Sequence, residues 1–342
     1  MTSNRREFAI GILNYNTRDI LLENLDGCLC NGIPADSLLV LDNCSNDGSL
    51  EAVNERYPQV RTLRPDRNLG YAGGMNRIVD ALDVKWVVLV TADCFITLET
   101  VDGFRRAMES AASVAVAGCR IIDRRTGRIQ SEGGDITYPL GVPLSRRWQE
   151  APDRRGPGDL SDVTYIDGAV LAVDRSKFLE LGGFDESYFA YQEDVDLCWR
   201  ARLRGYRVVC LGSASASHAT SASFRRHTSL RWSLSERNRI ANNLKNLELH
   251  HLFFALGYEA LYFGAITVGA AAFRTPGYLR AYYRGLASLL RSLRNVLAVR
   301  TKVQGARTRP DREVLAHHPK MGLVNLAKAL SRRAALARQM GT

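Results

Sequence analysis

Trp86-Val87-Val88-Leu89-Val90-Thr91-Ala92-Asp93 is an unbroken apolar run that ends in a carboxylate. Without a polar residue at every second position, such a run predicts a strand covered on both faces, as in a sheet flanked by helices. Working back towards the N-terminus, Phe8 to Leu13, Leu38 to Leu41 and Val60 to Leu63 are three more short apolar runs. Between them Ile20, Leu21, Leu25 and Leu29, then Leu50, Val53 and Tyr57, then Met75, Ile78, Val79 and Leu82 recur at helical spacing. Four strands alternating with helices predict an α/β domain with a mostly parallel sheet and right-handed crossovers. Ligands of such sheets bind beyond the carboxyl ends of the strands. That rule points to Asn14 to Thr17, Asp42 to Ser49 and Thr91 to Cys94.

Towards the C-terminus, Val114 to Cys119 and Val163 to Val173 read as strands, with loops and possible hairpins over Arg120 to Asp162. Asp174 to Leu181 reads as a short helix closed by Gly182-Gly183, and Glu193 to Arg204 as a helix with acids in its first turn and Gly205 after its last. Tyr206 to Leu211 is a predicted strand, followed by a Ser/Ala-rich loop holding His218. From Arg231 onward the pattern is helical.

The 342 residues, 46% hydrophobic and 24% charged, exclude collagen-like, disordered and multi-span membrane classes. The net charge of +10 is unevenly placed. Arg274 to Thr342 holds fifteen Lys and Arg against two Asp and Glu, leaving 31 basic and 34 acidic residues before it. A basic tail can meet nucleic acid or an anionic membrane. Its arginines interleave with Leu286, Leu289, Leu290, Leu293, Val296 and Leu297. That basic amphipathic pattern suits a membrane surface or partner helix better than nucleic acid. Just before it, Phe253 to Phe273 is 21 residues long with one formal charge, Glu259. The length meets that of a membrane span, yet an acid near the centre costs about 2.5–3.5 kcal/mol on insertion. A span, an interfacial helix and a buried or oligomeric contact all stay open. The seven cysteines lack any metal-binding spacing and read as reduced thiols, and no apolar leader precedes Phe8. Both features lead to the expectation of a cytoplasmic protein, peripheral on the inner face of the cell membrane.

Four stretches could carry chemistry. Asp42 closes a predicted strand, where its carboxylate could accept from a base N–H or ribose hydroxyls, while Asp47 suits a helix cap. Asn68-Leu69-Gly70-Tyr71-Ala72-Gly73-Gly74-Met75-Asn76 is a glycine-rich turn opening a helix, so backbone and helix N-terminus could approach a diphosphate. It lacks the lysine of a P-loop and the spacing of a dinucleotide fingerprint, and close packing at Gly73 and Gly74 would explain it equally well. Asp93 could hold Mg²⁺ or Mn²⁺, which takes one or two carboxylates plus phosphate oxygens. Tyr188-Phe189-Ala190-Tyr191-Gln192-Glu193-Asp194-Val195-Asp196 puts acids after a cluster of aromatics. The acids could simply complement a helix dipole, or one could deprotonate an acceptor hydroxyl beside a sugar-stacking platform.

Together with Asp167-Gly168-Ala169, Gly182-Gly183-Phe184-Asp185 and Glu236-Arg237-Asn238-Arg239, these motifs resemble family 2 inverting glycosyltransferases, particularly the bacterial subgroup with rhamnosyltransferases of surface polysaccharide assembly. The resemblance covers about Phe8 to Leu247. It implies a GT-A catalytic domain over 1–247; the basic amphipathic pattern beyond it predicts a helical region over 248–342 in contact with membrane or a further copy of the chain. The resemblance further implies inverting transfer of a sugar, rhamnose favoured, from a nucleoside diphosphate to a glycan or lipid-linked glycan. By the same resemblance Asp194 is the base with Glu193 beside it. Asn14, Asn16, Asp42, Asn68, Gly70, Tyr71, Ala72, Asn76, Asp167 and Gly168 line the nucleotide-sugar site, and Asp93 and His218 face a Mg²⁺ or Mn²⁺ ion. Thr91 stands where the first Asp of a DxD metal motif would be. Competing readings are a sugar-nucleotide pyrophosphorylase, a nucleic-acid binder using the basic tail, and a catalytically silent homologue. The first needs a basic glycine-rich loop after the first strand, where Asn14-Tyr15-Asn16-Thr17 stands instead.

Overall fold

The computed structural model describes residues 7–156, 159–219, 228–272 and 276–320. It divides into two units, one of 1–134, 145–189 and 193–220, the other of 135–144, 190–192 and 221–342.

In the first unit the alternation read from the sequence is present: β1 (Phe8–Asn14), α1 (Arg18–Cys30), β2 (Leu38–Asp42), α2 (Ser49–Arg56), β3 (Arg61–Leu63), α3 (Gly70–Ala81) and β4 (Trp86–Thr91). Strands β4, β1, β2 and β3 lie side by side in that order, all parallel. Val87 to Val90 are fully buried, so the uninterrupted apolar run is indeed covered on both faces. Each such side chain contributes about 1.5–3 kcal/mol. Met75, Ile78 and Val79 of α3 are also fully buried, confirming the helix face.

Beyond β4 the sheet becomes mixed. After β5 (Cys94–Phe95) and α4 (Leu98–Glu109) come β6 (Val114–Asp123), β7 (Ile129–Glu132), the small hairpin β8 (Gly134–Ile136) and β9 (Pro143–Ser145), β10 (Leu160–Asp162) and β11 (Val170–Asp174). Strand β11 inserts antiparallel between β4 and β6. Helices α5 (Arg175–Glu180) and α6 (Glu193–Leu203) precede β12 (Arg207–His218). The last strand corrects the sequence reading. The expected Ser/Ala loop is the second half of β12, which continues past a register shift between Leu211 and Ser215, alongside β6. Small alternating residues carry no strand signal of their own, but they fit where β5 and β6 approach on either side.

The second unit takes in most of the β8–β9 hairpin through 135–144, and its other described elements are helices: α7 (Thr228–Asn246), α8 (Leu249–Ala272), α9 (Pro276–Ala306) and the short α10 (Asp311–Val314). Asn238 and Asn242 on α7 donate to the carbonyls of Ala190, Tyr191 and Gln192, at 3.1, 2.7 and 3.3 Å. Of the basic tail, Arg274 and everything after Lys320 lie outside the described residues, as does Phe273 of the apolar stretch. Within the described part, Arg300 caps the carbonyls of Leu244 and Leu247, Arg307 pairs with Asp311 and Glu248, and Arg309 pairs with Glu313. These three charges serve the unit's own packing.

Candidate active site

Parallel registry places Asn14 of β1 opposite Asp42 of β2, both fully buried. Asn14 Nδ2 donates to Asp42 Oδ1 at 2.9 Å and Ser45 Oγ at 3.3 Å, and the Ser45 N–H donates to Asp42 Oδ2 at 3.0 Å. Arg64 stands 3.7 Å from the same carboxylate. Asn16, at φ 51°, accepts from the Asn46 N–H and gives its own N–H to Ser45. The two strand ends are thus laced into one floor. Asp47 accepts from the backbone of both Arg18 and Ser49, at 2.9 and 3.1 Å, which satisfies an N-terminal donor of α1 and one of α2.

Over that floor lies the glycine-rich turn. Asn43, which the sequence reading passed over, holds it: its amide donates to Asn68 Oδ1 and Gly70 O and accepts from the Leu69 N–H. Gly70 has φ +70°, and a Cβ there would fall 2.6 Å from the Phe189 ring and overlap the Phe189 carbonyl. The next turn of α3 receives that carbonyl through the Ala72 N–H. Asn76 spends both ends of its amide on Phe184 and Glu186. It fastens α3 to the segment ahead of α6.

The base candidate sits where α3, the start of β11 and α6 converge. Tyr71 Oη donates to Gly168 O at 2.6 Å, and the Gly168 N–H donates to Asp194 Oδ2 at 2.8 Å. A Cβ on Gly168 would lie 2.9 Å from Tyr71 Oη and 3.3 Å from Asp194 Oδ2, so glycine is what lets these three meet. Asp194 Oδ1 takes the Val195 N–H. The N-terminus of α6 alone argues for an ionised Asp194; the structure reverses that balance. Burial, then the Asp167 carboxylate, raise its pKa to about 7 against the lowering effect of the two N–H bonds. Glu193, 4% exposed with Oε2 unpartnered among the described residues, is pushed well above the usual carboxylate range by burial and Asp194. Asp196 is occupied elsewhere, bound to Arg200 at 2.7 Å, whose guanidinium also ties down Leu181 O and Gly183 O.

The aromatic platform shrinks. Phe184 and Tyr188 are 1% exposed and belong to the core, leaving Phe189, 41% exposed, and Tyr191. Phe189, Tyr191 and Gln192 have φ of 62°, 71° and 73°, a strained run directly before Glu193. Such strain persists where surrounding structure imposes it.

Pairing of β12 with β5 sets His218 opposite Cys94, beside Asp93. His218 Nε2 is 3.4 Å from Asp93 Oδ1, while Nδ1 meets Gln130 Oε1 at 2.9 Å. An amide oxygen can only accept, so Nδ1 carries hydrogen and Nε2 faces the carboxylate. Burial lowers the His218 pKa, but Asp93 together with Asp167 and Asp123 outweighs it and the net shift is upward. An oxygen and an imidazole nitrogen converging on one point, with the imidazole oriented by a second hydrogen bond, fit Mg²⁺ or Mn²⁺ completed by diphosphate oxygens. Thr91 does not join them; its N–H and hydroxyl both go to Ala169 O. Asp167 acts electrostatically on both His218 and Asp194, so the Asp93–His218 pair and Asp194 share one neighbourhood.

This arrangement of sheet, strand-end carboxylates and glycine-rich turn is the GT-A class of nucleotide-sugar transferase folds. The chain superposes on Staphylococcus aureus TarS 1–349 with TM-score 0.52 at 14% identity, covering 98% of this chain and 92% of that one. On the mannosyltransferase PcManGT of Pyrobaculum calidifontis, solved with GDP-Man and Mn²⁺, the TM-score is 0.50 at 18% identity, covering 98% and 81%. Residues 9–165 match glycosyl transferase family 2, and the chain carries a domain of that family. It is also 30% identical over 204 residues to an N-acetylglucosaminyl-diphospho-decaprenol L-rhamnosyltransferase of Mycobacterium tuberculosis, a match spanning 53% of this chain and 66% of that relative's length.

Proposed function

We propose that this protein transfers a sugar, rhamnose favoured, from a nucleoside-diphosphate donor to a hydroxyl of a glycan or lipid-linked glycan, with inversion at the anomeric carbon. The observation that carries this reading is Asp194, held by Gly168 and Val195 beside the Asp167 and Glu193 carboxyls, with a pKa near neutrality. The Asn14–Asp42–Ser45 floor and the Asn68–Asn76 turn receive the nucleotide, Asp42 towards the base and the N-terminus of α3 towards the diphosphate. Asp194 takes the proton of the acceptor hydroxyl while that oxygen bonds to the anomeric carbon and the bond to the diphosphate breaks on the opposite face. Glu193, its carboxyl pushed well above the usual range by burial and Asp194, stands beside the base to contact donor or acceptor. A divalent cation held by Asp93 and His218 would offset charge on the departing diphosphate. The rhamnosyl relative supports the choice of sugar and a lipid-linked acceptor. Residues 1–247 would be the catalytic part and 248–342 the part that keeps the protein at the cytoplasmic membrane face.

A thermal-shift screen of nucleoside-diphosphate sugars, with and without Mn²⁺, tests the donor class. A donor at a hundredfold its Kd adds about 2.7 kcal/mol of stability, a rise on the order of 5 °C. Asp93→Ala should lose the Mn²⁺-dependent part of that rise. No shift with deoxythymidine, uridine or guanosine diphosphate sugars would sink the proposal.

The pH profile follows from the direction of the Asp194 shift. The base must be ionised, so kcat/KM should fall as pH drops through about 7. A lower limb near 4, the range of an exposed carboxylate, would remove Asp194 from the role.

A further inference from the structure

We propose that α8 lies in the plane of an anionic lipid surface, its outer face set into the boundary between headgroups and acyl chains, with an arginine row of α9 on the headgroups. The inference concerns the helical unit alone and holds whichever sugar is transferred.

The one charge in α8 decides the argument. Glu259 points inward, bound by Arg239 at 2.6 and 2.8 Å and by Tyr282 Oη at 2.7 Å. Arg239 also binds Glu236 at 2.9 Å, and both are 1% exposed. Leu252, Ala255, Tyr262 and Ile266 share this inner side and are buried. The opposite side is left without any charge: Leu249, Phe253, Phe254, Leu256, Leu261 and Val268 are all exposed, Phe253 and Val268 to 71%. So many large apolar side chains on one helix of a soluble unit mark a contact surface.

Helix α9 supplies the complementary charge. Tyr283, Leu290 and Leu297 are exposed at seven-residue intervals, and Tyr283 packs edge-on against Phe263 of α8 at 5.4 Å. Beside them Arg280, Arg284, Arg291 and Arg294 are exposed, and none is paired with an acid among the described residues. Each basic residue near an anionic leaflet contributes about 1 kcal/mol. A second copy of the chain fits this face poorly, since a two-fold contact would set one arginine row against another. A transmembrane placement fits no better, because the inner side of α8 carries Glu259, and its partner Arg239 with Glu236 on α7 would be drawn with it into hydrocarbon.

The test uses the full chain and vesicles of phosphatidylcholine with and without phosphatidylglycerol. Co-sedimentation should favour the anionic vesicles by tenfold or more and weaken in 1 M NaCl. Phe253→Asp with Leu261→Asp should lower binding by at least tenfold, and Arg284→Gln, Arg291→Gln and Arg294→Gln together should remove the preference for anionic lipid. Both sets change exposed side chains, and circular dichroism reports whether the fold is kept. A Leu261→Trp variant reads depth independently of folding losses: quenching should be strongest with lipids brominated high on the acyl chain. Equal binding to neutral vesicles, strongest quenching from bromines near the chain end, or a stable dimer that ignores vesicles and is broken by Phe253→Asp would each overturn the proposal.

Discussion

Asp194→Asn is expected to lower turnover roughly a thousandfold while leaving the affinity for donor within a few-fold, because positioned general bases contribute 10²–10⁴ in rate and the donor is held by other residues. The amide cannot take the acceptor proton. It also accepts at only one oxygen, so either the Gly168 or the Val195 N–H loses its partner, at about 1 kcal/mol. An opposing gain offsets that loss. A carboxyl whose folded pKa is raised weakens folding progressively as pH climbs from the ordinary carboxylate range to about 7, and the amide is free of this burden. The melting temperature of the variant relative to the wild type should therefore be higher at pH 8 than at pH 4. Initial-rate kinetics, donor calorimetry and melting curves at the two pH values check these statements; near-normal turnover would end the assignment.

Gly70→Ala is expected to destabilise the first unit by about 2–5 kcal/mol, from about 1–2 for a left-handed non-glycine residue and about 1–3 for overpacking. That corresponds to a fall in Tm on the order of 8 °C. The added methyl meets the carbonyl and ring of Phe189, two groups that cannot both withdraw without moving the strained run before Glu193. Donor affinity should fall with stability, since the same turn opens α3. Gly127→Ala is the control: its φ is +68° but nothing lies within 4 Å of the new Cβ, so only the backbone penalty applies. Equal losses at the two positions would show that Phe189 gives way.

Much of the β1–β4 half of the first unit was legible because its signals are local. Val87 to Val90 announce a doubly covered strand, and Met75, Ile78 and Val79 a helix face, from neighbours in the chain. The same holds for the ends of β1 and β2, where polar residues directly follow apolar runs and so fall at the crevice. Asn43 was harder to single out, since an asparagine beside Asp42 differs from its polar neighbours only by what it reaches at Asn68 and Gly70. Phe184 and Tyr188 misled for the opposite reason. Aromatic clustering looks the same whether the rings face a sugar or a core, and only packing against Tyr71 and Phe178 shows which for Phe184.

The sequence by itself determined the α/β class, the crevice residues, the carboxylates at the head of α6 and the concentration of positive charge after Phe273. Those follow from periodicity, turn chemistry and composition, which act over a few residues. The tertiary structure decided that His218 ends a strand beside Asp93, that Gly168 admits both Tyr71 and Asp194, that Asp194 titrates near neutrality, and that Glu259 turns inward to leave the outside of α8 uncharged. Each of these depends on groups brought together across 20 to 125 positions of chain, such as Glu259 with Arg239 and His218 with Asp93. Burial and electrostatic coupling are properties of distance in space, and no local pattern encodes them.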